Sequence, residues 1–329
     1  MDPRDRLSCP DCETPLDRRN FLRTVGSAAL VGASSPALLA SRPAYAAPSP
    51  KSTAETAVVR FYKSLTDEQK KTIVLPFDHE LRQRISANWH ITKPEIDDDF
   101  YTNDQRAIIN EIIRGVTTED GYQRIVRQTQ DDAGGIGGYS VAVFGTPGSG
   151  KFEWELTGRH LTLRADGDSV DQAAFGGPVI YGHGVEEPGK NLFHYQTKQA
   201  NEVFRALNTS QAEKALIKAA PKEDAVALQG EQGTFPGISV AELSRDQKEL
   251  VEKTLKVILA PYRKEDVDEV MAILKAAGGV DKLHMAFYQQ GDLLEDKEWD
   301  IWRVEGPSLV WHFRGAPHVH AYINIGVKS

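Results

Sequence analysis

The chain has 329 residues, of which 40% are hydrophobic and 26% charged, as in an ordinary soluble globular protein. Its formal net charge at pH 7 is −8, from 39 basic and 47 acidic residues. Because nucleic acids and anionic membranes are bound through clustered lysine and arginine, this acidic balance excludes them as expected partners.

The first segment has the pattern of a twin-arginine signal peptide. A paired-arginine motif at residues 17–23 precedes a weakly apolar stretch, rich in Ala, Gly and Ser, from Thr24 to Ala40. The small-x-small sequence at residues 44–46 is typical of a signal peptidase site. A membrane anchor is the alternative, but the stretch is too short and too rich in glycine and serine to span a bilayer well. We therefore expect residues 1–46 to be removed after passage through the twin-arginine translocase, and the protein to act in the periplasm or outside the cell.

Both cysteines, Cys9 and Cys12, form a C-x-x-C pair inside this predicted signal. Such a pair can bind a metal or act in redox chemistry, but it has no second pair to complete a metal site. If cleavage follows residue 46, the mature chain has no cysteine, which excludes disulfides and cysteine-ligated metals. The core alone must then stabilise the mature protein, and about 280 residues are enough to form one.

Helical periodicity dominates the chain up to residue 133. Residues 47–53 are predicted to be a flexible leader, and apolar residues at helical spacing predict a helix from Ala54 to about Ile73. A capping sequence at residues 102–104 begins a second predicted helix, which ends at Arg114. Residues 117–120 begin a third, which ends at the glycine-rich residues that follow.

The remainder of the chain alternates between blocks of strands and blocks of helices. The first strand patterns lie at 139–144, 152–164 and 179–181. Helical patterns return at 196–207, 210–219, 244–260 and 264–277, and strand patterns close the chain at 283–290, 299–304, 308–314 and 318–325. This order predicts an α+β fold with a largely antiparallel sheet and helices packed on it. The loop 221–237 is the best linker candidate, but strands on both sides are expected to share one sheet, so residues 54–329 are predicted to form a single domain.

Residues 145–151 match most of a phosphate-binding Walker A loop. That loop requires Ser or Thr after its lysine and a helix whose N-terminus faces the phosphates. Here Phe152 follows Lys151, and the next residues alternate like a strand. We interpret the segment as a glycine- and proline-rich turn between two strands, and not as a nucleotide site.

The segment 152–164 changes the parity of its apolar positions midway, which a strand does only at a turn or bulge. A two-residue turn at Thr157-Gly158 predicts that Glu155 lies opposite His160 on one polar face. Its alternative is a solvated face with an exposed His–Glu pair. Because its position follows from this hairpin, Glu155 is the acid that we expect to act as a metal ligand or general base.

The C-terminal segment 308–325 carries the strongest group of candidate ligands. Its alternating apolar residues and a three-residue loop at 315–317 predict a hairpin in which His312 lies opposite His320. His318 and His320 project to the same side, so three imidazoles are expected within about 5–7 Å of one another. His-x-His on a strand is a recurrent way to bind zinc, copper or iron. The alternative is a polar sheet face whose histidines only make hydrogen bonds.

His183 is a further candidate ligand, because the glycines on either side of it leave room for an ion. The remaining histidines, His79, His90, His194 and His284, give weaker signals or none. The sequence contains no nucleophile elbow, H-E-x-x-H helix, Rossmann fingerprint or EF-hand loop. Most enzyme classes with readable signatures are therefore excluded.

The order of these motifs resembles a family of uncharacterised exported proteins, domain of unknown function 3500. The resemblance runs from about Arg82 to Ile325 and rests on residues 104–106, 117–122, 139–145, 158–163, 306–308 and 318–320. It implies that His160, His318 and His320 are site residues, and it implies no particular reaction.

Two positions depart from the family pattern. Members usually have paired histidines before the leucine at 161, where this chain has Arg159 and His160. The position of His312 is more often acidic in the family. These departures leave His160 as the residue carried over and put the preferred metal in doubt.

The sequence therefore predicts an exported metal-dependent enzyme with an ion of zinc, copper or iron. His318, His320 and His160 are the expected ligands, and His312 or Glu155 is expected to complete the shell. Hydrolysis of an ester, glycoside or phosphate is favoured over an iron- or copper-dependent oxidation.

The alternative is a non-catalytic module that binds a glycan or another ligand outside the cytoplasm. It would use the aromatic-rich sheet residues Trp154, Trp299, Trp302 and Trp311. Tryptophans at alternating spacing are more typical of a core than of a binding platform, which favours the enzyme.

Overall fold

The computed structural model describes residues 47–292 and 294–328. The predicted twin-arginine signal, its cleavage site and the pair Cys9 and Cys12 lie outside the described residues. The helices of the described residues are α1 (Thr53–Ser64), α2 (Asp67–Ile73), α3 (Asn103–Gly115), α4 (Glu119–Ala133), α5 (His194–Arg205), α6 (Thr209–Ala215), α7 (Arg245–Leu259) and α8 (Lys264–Ala276). None of these helices is long and apolar enough to cross a membrane.

The predicted caps of α3 and α4 are confirmed. The Thr102 side chain accepts from the Gln105 N–H in a capping box, and the Thr118 side chain caps α4 by accepting from the Gly121 N–H. Gly134 ends α4 in the left-handed conformation, with φ +74°, as the glycine-rich sequence predicted. Local polar chemistry therefore sets the ends of both helices.

The prediction of one continuous helix from Ala54 to Ile73 is wrong. The chain leaves the helix at Leu65, which is extended, and Thr66 caps a second helix by accepting from the Gln69 N–H. The Gln69 side chain returns the contact by accepting from the Thr66 N–H. This reciprocal capping box satisfies N–H groups at the start of α2 and so stabilises a new helix start at Thr66. The apolar spacing of the sequence runs through this break and does not reveal it.

Eleven strands of the described residues form one sheet, which confirms the predicted α+β fold in a single domain. The strands are β1 (Val74–Leu75), β2 (Ser140–Gly145), β3 (Phe152–Gly158), β4 (Leu161–Ala165), β5 (Val179–His183), β6 (Leu216–Ile217), β7 (Ile238–Ser239), β8 (His284–Tyr288), β9 (Ile301–Gly306), β10 (Leu309–Arg314) and β11 (Val319–Ile325). Their order is β1-β2-β3-β4-β5-β11-β10-β9-β8-β6, and β7 also pairs with β8. Only the β1–β2 and β6–β8 pairs are parallel among these strands. The C-terminal strand β11 thus lies in the middle of the sheet, between β5 and β10.

The two faces of the sheet differ in what covers them. Alternate residues such as Leu156, Tyr181 and Trp311 join the main core with the apolar sides of the helices, and we call this side the helix-covered face. Residues from the segments 77–91 and 217–228 pack on the other side, the loop-covered face. Buried polar and charged side chains lie on the loop-covered face of several strands: Glu153, Glu155, Arg164, Arg303, Glu305 and His320.

The segment 145–151 is the turn that joins β2 to β3, as the sequence predicted. Phe152 begins a strand and not a helix, and the Thr146 N–H donates to the Lys151 carbonyl at 3.0 Å across the turn. A Walker A loop requires a helix that begins after its lysine, and here a strand begins there instead. The phosphate-binding arrangement is therefore not formed.

The predicted register of the first hairpin is wrong. Thr157 and Gly158 continue β3, and the turn is made by Arg159 and His160, so Gly158 pairs with Leu161. Glu155 then lies opposite Arg164 and not opposite His160. The longer strand buries Thr157, whose hydroxyl accepts from the Ile91 N–H, and this contact stabilises the extended conformation at the expected turn.

The predicted register of the C-terminal hairpin is also wrong, by two residues. His312 lies opposite Tyr322, and His320 lies opposite Arg314. The connection is longer than three residues because Pro317 has no N–H for the ladder and the Gly315 N–H donates to the Asp300 carbonyl at 2.8 Å. A shift of two keeps each side chain on its face but changes its partner.

A buried ionic cluster joins α1 to the start of α8. Arg263 donates from both terminal nitrogens to the Glu55 carboxylate, at 2.7 and 2.8 Å, and from Nε to Asp266 at 3.0 Å. The three side chains are 7%, 0% and 2% exposed, in the order Arg263, Glu55 and Asp266. Burial raises the pKa of Asp266 to about 7 in spite of the adjacent guanidinium.

Candidate metal centre

Three histidines meet at the junction of β4, β5 and β11. His160 occupies the turn between β3 and β4, His318 directly precedes β11, and His320 lies within β11 opposite Gly182 of β5. His160 has a φ of +59°, which is unfavourable for a residue with a Cβ atom. Its N–H donates to the Ala87 carbonyl at 2.6 Å, so the segment that covers this face helps to hold the turn.

The three imidazole rings are close enough to share one ion. Their centroids are 5.0 Å apart for His160 and His318, 4.7 Å for His160 and His320, and 4.9 Å for His318 and His320. One ligand nitrogen from each ring lies within 4.8 Å of the others, and the rings are 0%, 5% and 0% exposed. We call these three residues the histidine triad.

A carboxylate orients two of the three rings. Asp132 Oδ2 lies 2.7 Å from His160 Nδ1, and Glu223 Oε1 lies 3.1 Å from His320 Nδ1. Because an ionised carboxylate only accepts hydrogen bonds, each Nδ1 carries the proton and each neutral ring has its lone pair on Nε2. Metal-binding histidines are typically oriented by an outer carboxylate in this way.

Each orienting carboxylate is itself held in place. Asp132 accepts from the Gly184 N–H at 2.9 Å and from the Gln128 side chain at 2.8 Å. Glu223 contacts Arg314 Nε at 2.6 Å and the Tyr322 hydroxyl at 3.3 Å. Orientation of the imidazoles therefore depends on α4 at one side and on the loop before β7 at the other.

The electrostatics of His160 favour a neutral ring beside an ionised carboxylate. Burial lowers the pKa of His160, and the charges of His318 and Arg159 lower it further, against the opposing effect of Asp132. Burial alone would raise the pKa of Asp132, but its hydrogen bond with His160 and its backbone contact hold that pKa at about 2. A neutral imidazole is the form that binds a metal.

The distances between ligand atoms fit a small divalent ion. His318 Nε2 and His320 Nε2 are 3.2 Å apart. Two tetrahedral ligands at the usual zinc–nitrogen distance are separated by about 3.3 Å, so this pair already has the required spacing. The ligand nitrogens of the triad lie within 4.8 Å of one another, so the wider pairs would have to approach by up to about 1.5 Å to reach the same tetrahedral spacing.

The structure places His312 apart from the triad. It is buried opposite Tyr322, with its ring centroid 6.3 Å from that of Tyr288. Burial, together with Arg303 and Arg314, lowers the pKa of His312 to about 3. The expectation that His312 lies opposite His320 is therefore wrong, and the reason for choosing it as a ligand is removed.

The other two candidates from the sequence also make contacts outside the triad. Glu155 Oε1 lies 3.2 Å from Arg164 Nη2, and burial raises the pKa of Glu155 to about 8 in spite of that arginine. His183 alternates with Gly182 on β5 and so faces the helix-covered side. Its Nε2 lies 3.1 Å from Asp131, and its Nδ1 accepts from the Leu192 N–H.

The aromatic platform of the alternative function is not formed. Trp154, Trp302 and Trp311 are fully buried, and Trp299 packs against the main core. The three buried tryptophans have no exposed face that could stack on a sugar from solvent, and Trp299 is partly buried. The four residues therefore do not form an exposed aromatic platform.

Asp132 and Glu223 are the site residues that sequence reasoning missed. Asp132 lies in the last turn of α4, which is polar, and Glu223 lies in the loop 221–237, the linker candidate of the sequence. Neither has a motif around it, so no local signal could have identified either residue.

Replacing Asp132 with asparagine is expected to weaken metal binding by about 10- to 100-fold, the usual cost of losing an outer carboxylate. The amide cannot hold the proton on His160 Nδ1 as a carboxylate does. Equilibrium dialysis with Zn²⁺ measures the change, and Asp131→Asn is the matched control because Asp131 contacts His183 instead. Equal losses in both variants would contradict the assigned role.

Comparison with known proteins identifies a family and no function. Residues 48–323 match a family model described as "Protein of unknown function (DUF3500)". No protein with a curated description and no solved structure matches the chain.

Proposed function

The chain belongs to the DUF3500 family, and we propose that it is an exported metal-dependent hydrolase whose ion is bound by His160, His318 and His320. One observation carries the proposal: three buried imidazoles converge, and two of them are oriented from behind by carboxylates. Histidines that serve only as hydrogen-bonding aromatics do not require this arrangement of outer carboxylates.

A metal-free network is the competing explanation of the same contacts. His318 Nε2–H can donate to His320 Nε2 across their 3.2 Å separation, without an ion. That hydrogen bond joins only His318 and His320, whereas an ion bound by all three rings also explains why the His160 ring converges on them.

The chemistry of the proposed site follows from its ligands. A divalent ion on three imidazoles with an open position lowers the pKa of bound water toward neutrality. The protein contributes fixed neutral ligands through Asp132 and Glu223, and it excludes bulk water by burying the rings. Hydrolysis is the simplest reaction for such a site, because it consumes only water and needs no electron acceptor.

Export is proposed from the sequence pattern of residues 17–46. The substrate would then be an ester, glycoside or phosphate outside the cytoplasm. The mature protein would meet its substrate in the periplasm or the medium, after folding and translocation.

The test starts from mature protein purified without an affinity tag. We expect about one equivalent of zinc by elemental analysis. Chromogenic ester, glycoside and phosphate substrates then test hydrolysis before chelation, after chelation and after reloading with Zn²⁺, Cu²⁺ or Fe²⁺. Activity that is lost with the metal and restored with zinc supports the proposal.

Two results would contradict different parts of it. Protein that holds no metal, gains none on dialysis against these ions and keeps its melting temperature would overturn the metal site. Turnover that appears only with iron or copper and consumes dioxygen would overturn the hydrolase assignment while leaving the site intact.

A further inference from the structure

Arg159 is an arginine next to the histidine triad whose charge is not offset by a protein carboxylate. Its side chain makes no ion pair or hydrogen bond to any described residue, and its Nε is buried without a partner. Only its backbone is engaged, through a carbonyl that accepts from Tyr139 and Gln128. The guanidinium is therefore held near the site by the turn and not by a counter-ion.

The surroundings of Gly184 show where this guanidinium lies relative to the triad. A Cβ atom placed on Gly184 would lie 3.4 Å from His160 Cε1, 3.6 Å from Arg159 Nη2 and 2.7 Å from Asp132 Oδ1. The imidazole edge, the guanidinium and the orienting carboxylate thus surround one point. Glycine at 184 keeps that point clear, since any side chain would collide with Asp132.

Neighbouring arginines of the loop-covered face are paired, which sets Arg159 apart. Arg314 pairs with Glu223, Arg303 with Glu305 and Arg164 with Glu153. Asp132, the carboxylate that borders the space above Gly184 together with Arg159, is already engaged by His160 and two other donors. Arg159 is partly buried, and its buried Nε lacks a hydrogen-bond partner that an anionic ligand could provide.

We propose that Arg159 binds an anionic group of the substrate, a carboxylate or phosphate, next to the ion on the histidine triad. This inference rests on the proposed metal-dependent function. The triad supplies neutral ligands, so a divalent ion and the Arg159 guanidinium together leave the site positively charged. Guanidinium groups bind planar and tetrahedral oxyanions through paired N–H donors, which gives orientation as well as affinity.

The test uses untagged mature protein loaded with Co²⁺, whose visible absorption responds to changes in its ligands. Inorganic phosphate and acetate are titrated separately into the wild type, Arg159→Gln, Arg159→Lys and Arg245→Gln. Arg245 is the control, because it lies on the exposed surface of α7, where its side chain is 90% exposed. Metal content and melting temperature are measured for every variant.

We expect the wild type to bind at least one anion, and Arg159→Gln to raise its dissociation constant by about 10- to 100-fold, as for loss of a charged hydrogen bond. Arg159→Lys should recover part of the affinity, and Arg245→Gln should match the wild type. Tighter binding of phosphate identifies a phosphate group, and tighter binding of acetate a carboxylate.

Equal affinities in the wild type and Arg159→Gln, or no response to either anion, would overturn the role of Arg159 alone. A protein that takes up no Co²⁺ would instead overturn the metal site on which it rests.

Discussion

Replacing His318 and His320 together with alanine is expected to abolish stoichiometric metal binding. These two residues provide the pair of nitrogens that already has tetrahedral spacing, at 3.2 Å, and His160 alone cannot retain an ion. The loss of affinity should exceed the 10- to 100-fold cost of removing an outer carboxylate. Competition with a chromogenic chelator gives the affinity of each variant for Zn²⁺.

The matched control is His312→Leu, which removes a histidine from the same hairpin. His312 faces Tyr288 and Tyr322, and its buried Nδ1 has no hydrogen-bond partner in the described residues, so metal affinity should not change. The pair of variants also tests the strand register. Loss of metal in His312→Leu as well as in the double variant would favour the register expected from sequence, and retention of metal in the double variant would contradict the site.

Replacing Arg263 with methionine is expected to lower the free energy of unfolding by about 3–5 kcal/mol at pH 7, the usual effect of removing one partner from a buried pair. The variant leaves the Glu55 and Asp266 carboxylates buried without their common donor. Burial already raises the pKa of Asp266 to about 7, so a lower pH protonates this carboxyl group and the deficit should become smaller. Urea unfolding at pH 7 and pH 5 measures both effects.

Arg60→Met serves as the control for the same helix. Arg60 also joins α1 to another element, through Glu111 of α3, but the two side chains are 53% and 44% exposed. Such a surface pair contributes about 1 kcal/mol or less. If both variants lost the same small amount of stability, the buried cluster would not be what fixes α1 to α8.

The elements of the fold were predictable where local chemistry decides them. The Thr102 and Thr118 caps, the left-handed Gly134 and the turn before Phe152 each depend on residues a few positions apart. The break at Thr66 was missed because the apolar period runs through it, whereas the capping box is a polar signal. Local signals therefore gave most element boundaries and the α+β class.

Strand register was not predictable from alternation. Both hairpins are displaced from the expected register by an even number of residues, so the side chains that lie within the strands stay on their expected faces. Relations within one strand survive such a shift, as for His318 and His320, which remain close together. Relations across strands do not, so Glu155 and His312 lost their expected partners.

The outer carboxylates could not be predicted because long-range packing provides them. Asp132 is 28 residues from His160, and Glu223 is 97 residues from His320. Hydrophobic periodicity places helices and strands, but it does not say which polar side chain of a loop reaches a given ring. The register that placed His160 opposite Glu155 was wrong, so the family resemblance is the remaining sequence signal for His160.

The proposed metal site depends on the central place of β11 in the sheet. β11 is the last of the described strands, and it joins two halves of the sheet that otherwise end at β5 and β10. A fragment truncated at Arg314 leaves β5 and β10 without the strand that joins them, and it retains only His160 of the three candidate ligands. If the proposed site binds an ion, that fragment should remain metal-free.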